Sequence, residues 1–286
     1  MGATTVSKSS ISDGFGTEYR GLTAEALTDA TTVSDVVDAL ETSHLVVIRQ
    51  TPLSPEQQIE FARKIGQPVP FNISRYRHPD YPELMISSNV VKDGKPIGVA
   101  RVGNFWHQDS TYLPDPPEYT LLQGVQVPEG HGDTLFASAI NVLEALPADL
   151  REKAGQATAT HLHSRRFRMR PEHVGLSLPE FRAAVDKEYP PAVHPLTPVD
   201  EPTGQRYAYG SSGYTEAVDQ FDANDNKRWF GAIEEFLGNP ENIYRHKWTQ
   251  GDLVMWKTKI AFHSATELPE GAGRIVHRVS IRKSNR

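Results

Sequence analysis

Tyr119-Thr120-Leu121-Leu122-Gln123-Gly124-Val125-Gln126-Val127 is a short apolar run of strand length. The turn residues Pro128, Gly130 and Gly132 follow it, and a second short run occupies 134–137. The same texture extends outward in both directions. Apolar runs recur at Leu84–Ser88, 207–210, 253–256 and 276–281, each bounded by turn signals. Helical patterning interrupts them at 140–146, at Leu178–Glu188 and at 223–237. Many short strands with helices between them predict a mainly β protein with flanking helices, a double-stranded β-helix of the jelly-roll, cupin-like kind. Such a fold leaves an open mouth where strand ends meet, a natural place for a small-molecule site.

The N-terminal part reads differently. Residues 1–20 are rich in Ser, Thr and Gly and are expected to pack loosely. Residues 21–44 carry helical patterning through Leu22, Ala26, Leu27, Val33, Val36, Val37 and Leu40, and the β-branched run Leu45–Ile48 follows. Ser54 is placed to cap a helix over Pro55–Ile65, with Gly66 as its stop. The expected organisation is one jelly-roll domain over 21–286.

Composition narrows the chemistry. The chain has 286 residues, no cysteine and a formal net charge of −6. Without cysteine there is no disulfide framework, thiolate metal site or thiol nucleophile. An acidic balance argues against nucleic acid and anionic membrane as partners and for a small-molecule substrate. The sequence shows no signal-peptide pattern and no long apolar run, so the expected location is the cytoplasm. Homo-oligomerisation is compatible with all of this.

Histidine and carboxylate must therefore carry any metal chemistry. In Asn104-Phe105-Trp106-His107-Gln108-Asp109, a strand would turn His107 and Asp109 to one face. His263 offers a third ligand far downstream. Two imidazoles and one carboxylate on one face of an octahedral ion leave the other positions open, the arrangement used by non-heme iron(II) oxygenases. An isolated H-x-D spacing is weak by itself. Arg274, eleven positions after His263, strengthens it, because a guanidinium in the same cavity would grip a dicarboxylate through paired hydrogen bonds. The bland alternative makes Arg274 and Arg278 solvated strand-edge charges. Trp106, Trp248 and Trp256 read as core residues. His131, His161 and His163 read as surface residues or as supports of a ligand imidazole.

These residues resemble the taurine/2,4-dichlorophenoxyacetate family of iron(II)- and 2-oxoglutarate-dependent dioxygenases. The resemblance runs from Leu45 to about Ile281. It rests on Phe105-Trp106-His107-Gln108-Asp109, Gly132-Asp133-Thr134-Leu135-Phe136, Gly251-Asp252-Leu253-Val254-Met255-Trp256, His263 and the run Arg274-Ile275-Val276-His277-Arg278, in order. It implies His107, Asp109 and His263 as iron ligands and Arg274 and Thr134 as contacts of 2-oxoglutarate. The family couples conversion of 2-oxoglutarate and dioxygen to succinate and carbon dioxide with oxidation of a substrate. Halogenating relatives replace the ligand carboxylate with a small residue, so Asp109 argues for oxygenation.

A finer resemblance is to actinobacterial isonitrile-forming members. It is carried by Gly66-Gln67-Pro68-Val69-Pro70, Tyr76, His78, Pro79 and Ser87-Ser88, and by Thr160 to Pro171. Those relatives convert an N-carboxymethyl β-amino acid to an isonitrile with loss of carbon dioxide. The resemblance implies Arg168 and Arg170 as partners of substrate carboxylates, with Tyr76 in the pocket. Phe71 and Asn72 stand where those relatives carry adjacent tyrosines, which implies an altered substrate or a reaction that stops at hydroxylation. In sulfonate-oxidising relatives the position of Arg278 meets the anionic head group, so hydroxylation of another small anion is the nearest alternative. A non-catalytic metal- or ligand-binding β-barrel is the alternative of a different class.

Overall fold

Leu45–Ile48 is apolar at every position and fully buried, as expected of a strand covered on both faces. The computed structural model describes residues 5–12, 14–100 and 102–284. In it this strand lies inside an eight-stranded sheet. It pairs antiparallel with Leu253–Lys257 and parallel with Phe15–Arg20. Tyr119–Gln126 follows on the far side of Leu253–Lys257, and Ile275–Arg282 lies beyond it, both antiparallel. Ile275–Arg282 pairs in turn with Gln67–Val69 and Leu84–Ser88.

Strand alternation sorts the side chains into two cores. Val46, Ile48, Leu121, Leu253, Met255 and Val279 pack with Val36, Leu40, Ile59 and Phe61 of the helices Ala30–Ser43 and Pro55–Ile65. Leu45, Val47, Val254 and Trp256 face the other way, into a cluster with Phe136 and Ala261. Those last two belong to a three-stranded sheet with Thr134–Ser138 between Tyr244–His246 and Ala261–Ala265. Burying each large aliphatic side chain contributes about 1.5–3 kcal/mol. These positions therefore fix the register that places His263 and Thr134.

The chain divides into two compact units. The first comprises Met1–Asn104, Pro117–Phe136 and Tyr244–Arg286 and holds the two sheets just described. The second comprises Phe105–Pro116 and Ala137–Ile243. It carries the helices Ala139–Ala145, Ala148–Ala154, Leu178–Glu188 and Ala223–Gly238. Its antiparallel sheet has Thr158–His161 between Ala192–Pro195 and Thr215–Val218.

Several local expectations need correction. Residues 1–20, expected to pack loosely, contain the strands Ser7–Ser12 and Phe15–Arg20, because buried Phe15 and Tyr19 anchor the second of them beside Leu45–Ile48. The helical pattern of 21–44 is broken: a 3-10 turn at Ala26–Thr28 precedes a helix that starts at Ala30, after Asp29 turns extended and caps Thr32. Residues 207–210 form no strand. Their amides bond to separate segments, Ala208 to the Ala139 carbonyl and Tyr209 to that of Leu196, so no ladder develops. The capped helix Pro55–Ile65 is as predicted, with a reciprocal Ser54–Gln57 capping box. Ser54→Ala is expected to destabilise the protein by about 1 kcal/mol, read as a lower denaturant midpoint at unchanged slope.

Candidate metal centre

The segment carrying the first two ligands is held by its own short contacts. It is not the strand that the sequence predicts. His107 is a single bridge residue and Asp109 opens a turn, with Ser110 at φ 58°. The two side chains nevertheless converge, with His107 Nε2 3.7 Å from Asp109 Oδ1. His107 Nδ1 lies 2.7 Å from the Phe105 carbonyl oxygen, to which it donates as the protonated nitrogen. That tautomer leaves the Nε2 lone pair for a metal.

Gln108, between the ligands, is fully buried, and both ends of its amide are used. Nε2 donates to the Ala208 carbonyl at 2.9 Å and Oε1 accepts from the Gly210 amide at 3.0 Å. Just downstream, His194 Nε2 lies 3.0 Å from the carbonyl oxygens of both Thr111 and Leu113. No role for either residue is predicted from the sequence. The available signal was an uncharged donor–acceptor side chain placed between two ligands, suited to pinning backbone.

His263 comes from the regular strand Ala261–Ala265, where it is buried between Trp256 and Phe136. Its Nδ1 lies 3.4 Å from the Ala261 carbonyl oxygen, again leaving Nε2 for coordination. The ligand atoms of His107, Asp109 and His263 all lie within 4.8 Å of one another. All three residues are buried. Two neutral imidazoles and one carboxylate suit a divalent first-row metal and leave coordination positions for other ligands.

Arg274 sits beside this strand pair in the first unit. It lines a cavity of about 760 Å³ with Ser87, Asn89, Val99, Asn104 and Thr266. Its backbone amide donates to Asn89 Oδ1, whereas its buried side-chain Nε has no partner among the described residues. Burial pushes the guanidinium pKa down to about 10, partly offset by Asp133. Asp133 is itself committed to Arg245, at 2.6 Å. A guanidinium beside a cavity with an unpartnered buried donor suits the binding of an anion.

Thr134, also buried, accepts a hydrogen bond from Trp248 Nε1 at 3.0 Å, and the Arg274 guanidinium lies 5.7 Å from the Trp248 ring. Trp248 thus links the two residues expected to meet 2-oxoglutarate. Gly132 makes room for this group. Its φ is +73°, and a Cβ there would come within 2.6 Å of Leu268 and 3.2 Å of the Arg274 side chain.

Of the residues expected to meet the substrate, Arg168 and Arg170 belong to the second unit and Phe71, Asn72, Tyr76 and Arg278 to the first. Arg168 is exposed, and its segment is irregular, not a strand. Arg170 is stacked on Phe167 and paired with Glu188 at 3.2 Å, so its charge is already answered. Tyr76 is half-buried in a 3-10 turn, its hydroxyl accepting from Arg75, and its ring is 6.5 Å from that of Phe71. Asn72 is exposed. Arg278 lies within the strand Ile275–Arg282 and is not among the residues lining the 760 Å³ cavity. Trp106 is half-buried, where core packing was expected, while Trp248 and Trp256 are buried. His131 is exposed, and His161 and His163 are buried.

A family model described as taurine catabolism dioxygenase TauD, TfdA family, matches residues 7–280. The chain belongs to this family. Among its relatives is pentalenolactone F synthase of Streptomyces arenae, 27% identical over 259 residues, covering 88% of this chain and 86% of that protein. Another is the alpha-ketoglutarate-dependent 2,4-dichlorophenoxyacetate dioxygenase of Cupriavidus pinatubonensis, 29% identical over 266 residues, covering 88% of each. The solved structure of AAD-2 in complex with Mn(II) and N-oxalylglycine shares the fold, with a TM-score of 0.78 at 19% identity over 99% of both chains. This TauD/TfdA protein is accordingly an iron(II)- and 2-oxoglutarate-dependent dioxygenase acting on a small molecule, with dioxygen as the second cosubstrate. Among the described residues no helix is long and apolar enough to cross a membrane.

The buried histidines also set a pH dependence. Burial, with His194 adding to it, pushes His161 down to about 3, and burial beside His78 pushes His277 down to about 4. In the unfolded chain both titrate near 6.5. Below about pH 6.5 the unfolded state therefore binds protons that the folded state refuses, and stability falls as pH falls toward 3–4. Each residue contributes a slope of up to about 1.4 kcal/mol per pH unit. Thermal unfolding of metal-free protein from pH 7 to 5 should show this fall, and His161→Gln should flatten it. A slope unchanged by that substitution contradicts the assignment.

Proposed function

We propose that this dioxygenase oxidises a small carboxylate-bearing amino acid derivative, its leading form being conversion of an N-carboxymethyl β-amino acid to an isonitrile with loss of carbon dioxide. In this reading His107, Asp109 and His263 hold iron, Arg274 and Thr134 hold 2-oxoglutarate, and the two sheets of the first unit are the halves of a double-stranded β-helix. The observation that carries the cosubstrate assignment is the buried, unpartnered Nε of Arg274 beside the 760 Å³ cavity.

Bound iron with 2-oxoglutarate supplies the oxidising power, and the protein supplies placement. Nδ1–H bonds to backbone carbonyls orient both imidazoles. Arg274 answers a carboxylate with in-plane N–H donors, and Thr134, whose oxygen already accepts from Trp248, keeps its own proton to donate. The likeness of 66–88 and 160–171 to isonitrile-forming relatives supports the substrate class. Arg168 and Arg278 are the candidate contacts for a substrate carboxylate in this reading, while Arg170 pairs with Glu188.

The test is stoichiometric. Enzyme with iron(II), 2-oxoglutarate and N-carboxymethyl-3-aminobutanoate is exposed to oxygen, and succinate and products are quantified. Isonitrile formation requires about two succinates per product, since two oxidative turnovers are needed. One succinate with a hydroxylated product would instead establish the alternative, hydroxylation of a small anion, for which Arg278 is the candidate contact. Family membership argues against the non-catalytic β-barrel.

A further inference from the structure

The second unit contains a group of cations with no part in the site above. A pocket of about 240 Å³ is lined by Ser164, Arg165, Arg166, Arg182, Ser212 and Gly213, among others. Three guanidiniums meet there, and one carboxylate serves two of them: Glu216 pairs with both Arg165 and Arg182. Arg165 also donates to the Ser212 carbonyl. Arg166 has no carboxylate partner among the described residues. It lies over the Phe105 ring, 4.2 Å from its centroid.

That stacking is built into the chain. Gly213 lets the ring approach, since a Cβ there would come within 2.6 Å of Phe105. A guanidinium flat on an aromatic ring keeps its N–H donors in its own plane, free for a planar or tetrahedral oxyanion. The Ser164 hydroxyl, in the same pocket, is buried without a partner among the described residues. Cations held this close repel unless an anion joins them, and Glu216 answers only part of the charge.

We propose that this pocket is an oxyanion-binding site that takes a carboxylate, sulfate or phosphate group, with Arg166 as its main donor. The site adjoins the metal ligands through Phe105, whose ring centroid is 4.7 Å from that of His107 and whose carbonyl accepts the His107 Nδ1 proton. An anion seated on Arg166 therefore bears on the residue that orients a ligand imidazole. The anion has two sources consistent with this chemistry, the remote acidic end of a substrate or a free inorganic oxyanion.

Inorganic sulfate is the probe, titrated calorimetrically into the full chain under anaerobic conditions with iron(II) and saturating 2-oxoglutarate, so that Arg274 is occupied. Saturable binding is expected. Arg166→Gln should weaken it about tenfold, the loss of a charge-assisted pair of bonds. Glu216→Gln should tighten it severalfold, because the internal competitor is removed, and a folding defect would not produce that gain. Arg170→Gln should leave it unchanged. Absence of saturable binding overturns the proposal, as does binding that Arg166→Gln leaves within about twofold.

Steady-state turnover of N-carboxymethyl-3-aminobutanoate then separates the sources. Sulfate that raises KM at constant kcat identifies a substrate end, and sulfate that changes kcat alone identifies a free effector. The binding titration uses no organic substrate, so its failure and that of the proposed reaction are distinguishable.

Discussion

His263→Ala is expected to abolish substrate-dependent succinate formation and to weaken divalent metal binding by more than about a hundredfold. Replacing even a neighbour of a metal ligand costs about 10–100-fold, and His263 is one of three ligands whose donor atoms lie within 4.8 Å of one another. Asp109→Ala should behave alike, since it removes the only carboxylate of the set. Cobalt(II) affinity, measured on the purified variants, provides a readout independent of turnover. The fold should survive both changes, because the cores are built from other residues. A His263→Ala protein that keeps a tenth or so of wild-type turnover would remove this residue from the metal centre.

Arg274→Leu is expected to raise the KM for 2-oxoglutarate by about a hundredfold, equivalent to about 3 kcal/mol of lost charge-assisted hydrogen bonding. Arg274→Lys should recover only part of this, because an ammonium lacks the planar fork. The same Leu substitution should raise the melting temperature of the protein without cosubstrate. The guanidinium has an Nε without a partner among the described residues and a pKa that burial lowers to about 10, so removing the charge relieves a cost. Even at about 10 the group stays protonated at neutral pH, so cosubstrate affinity should show no Arg274 titration between pH 6 and 8. An Arg274→Leu enzyme with unchanged KM would overturn the cosubstrate assignment. Opposite signs for stability and affinity mark a binding group more clearly than loss of activity alone.

The chemistry at the triad was legible because ligand types are scarce. Without cysteine, His107, Asp109 and His263 in family order leave few alternatives. The geometry inferred for them was wrong in one respect. The H-x-D spacing predicts a strand at His107 and Asp109, whereas a turn held by Gln108 and His194 brings them together. Alternation and turn geometry leave the same H-x-D trace in a sequence, so spacing by itself does not separate them.

Periodicity and capping determined the elements that bury most of their apolar surface: Pro55–Ile65 and Leu178–Glu188 fall where the sequence predicts them, as do the buried strands around Leu45–Ile48 and Leu253–Lys257. These signals are local, and a helix or a buried strand writes them along its own length. What the tertiary structure decided is which charges are already answered. Arg166 and Arg170 carry the same charge in one run, yet Arg170 is taken up by Glu188 of a following helix, whereas Arg166 is stacked on Phe105 with no carboxylate partner among the described residues. Ion pairing and burial depend on residues distant in the chain, so a run of arginines names the charge and only the fold assigns its partner.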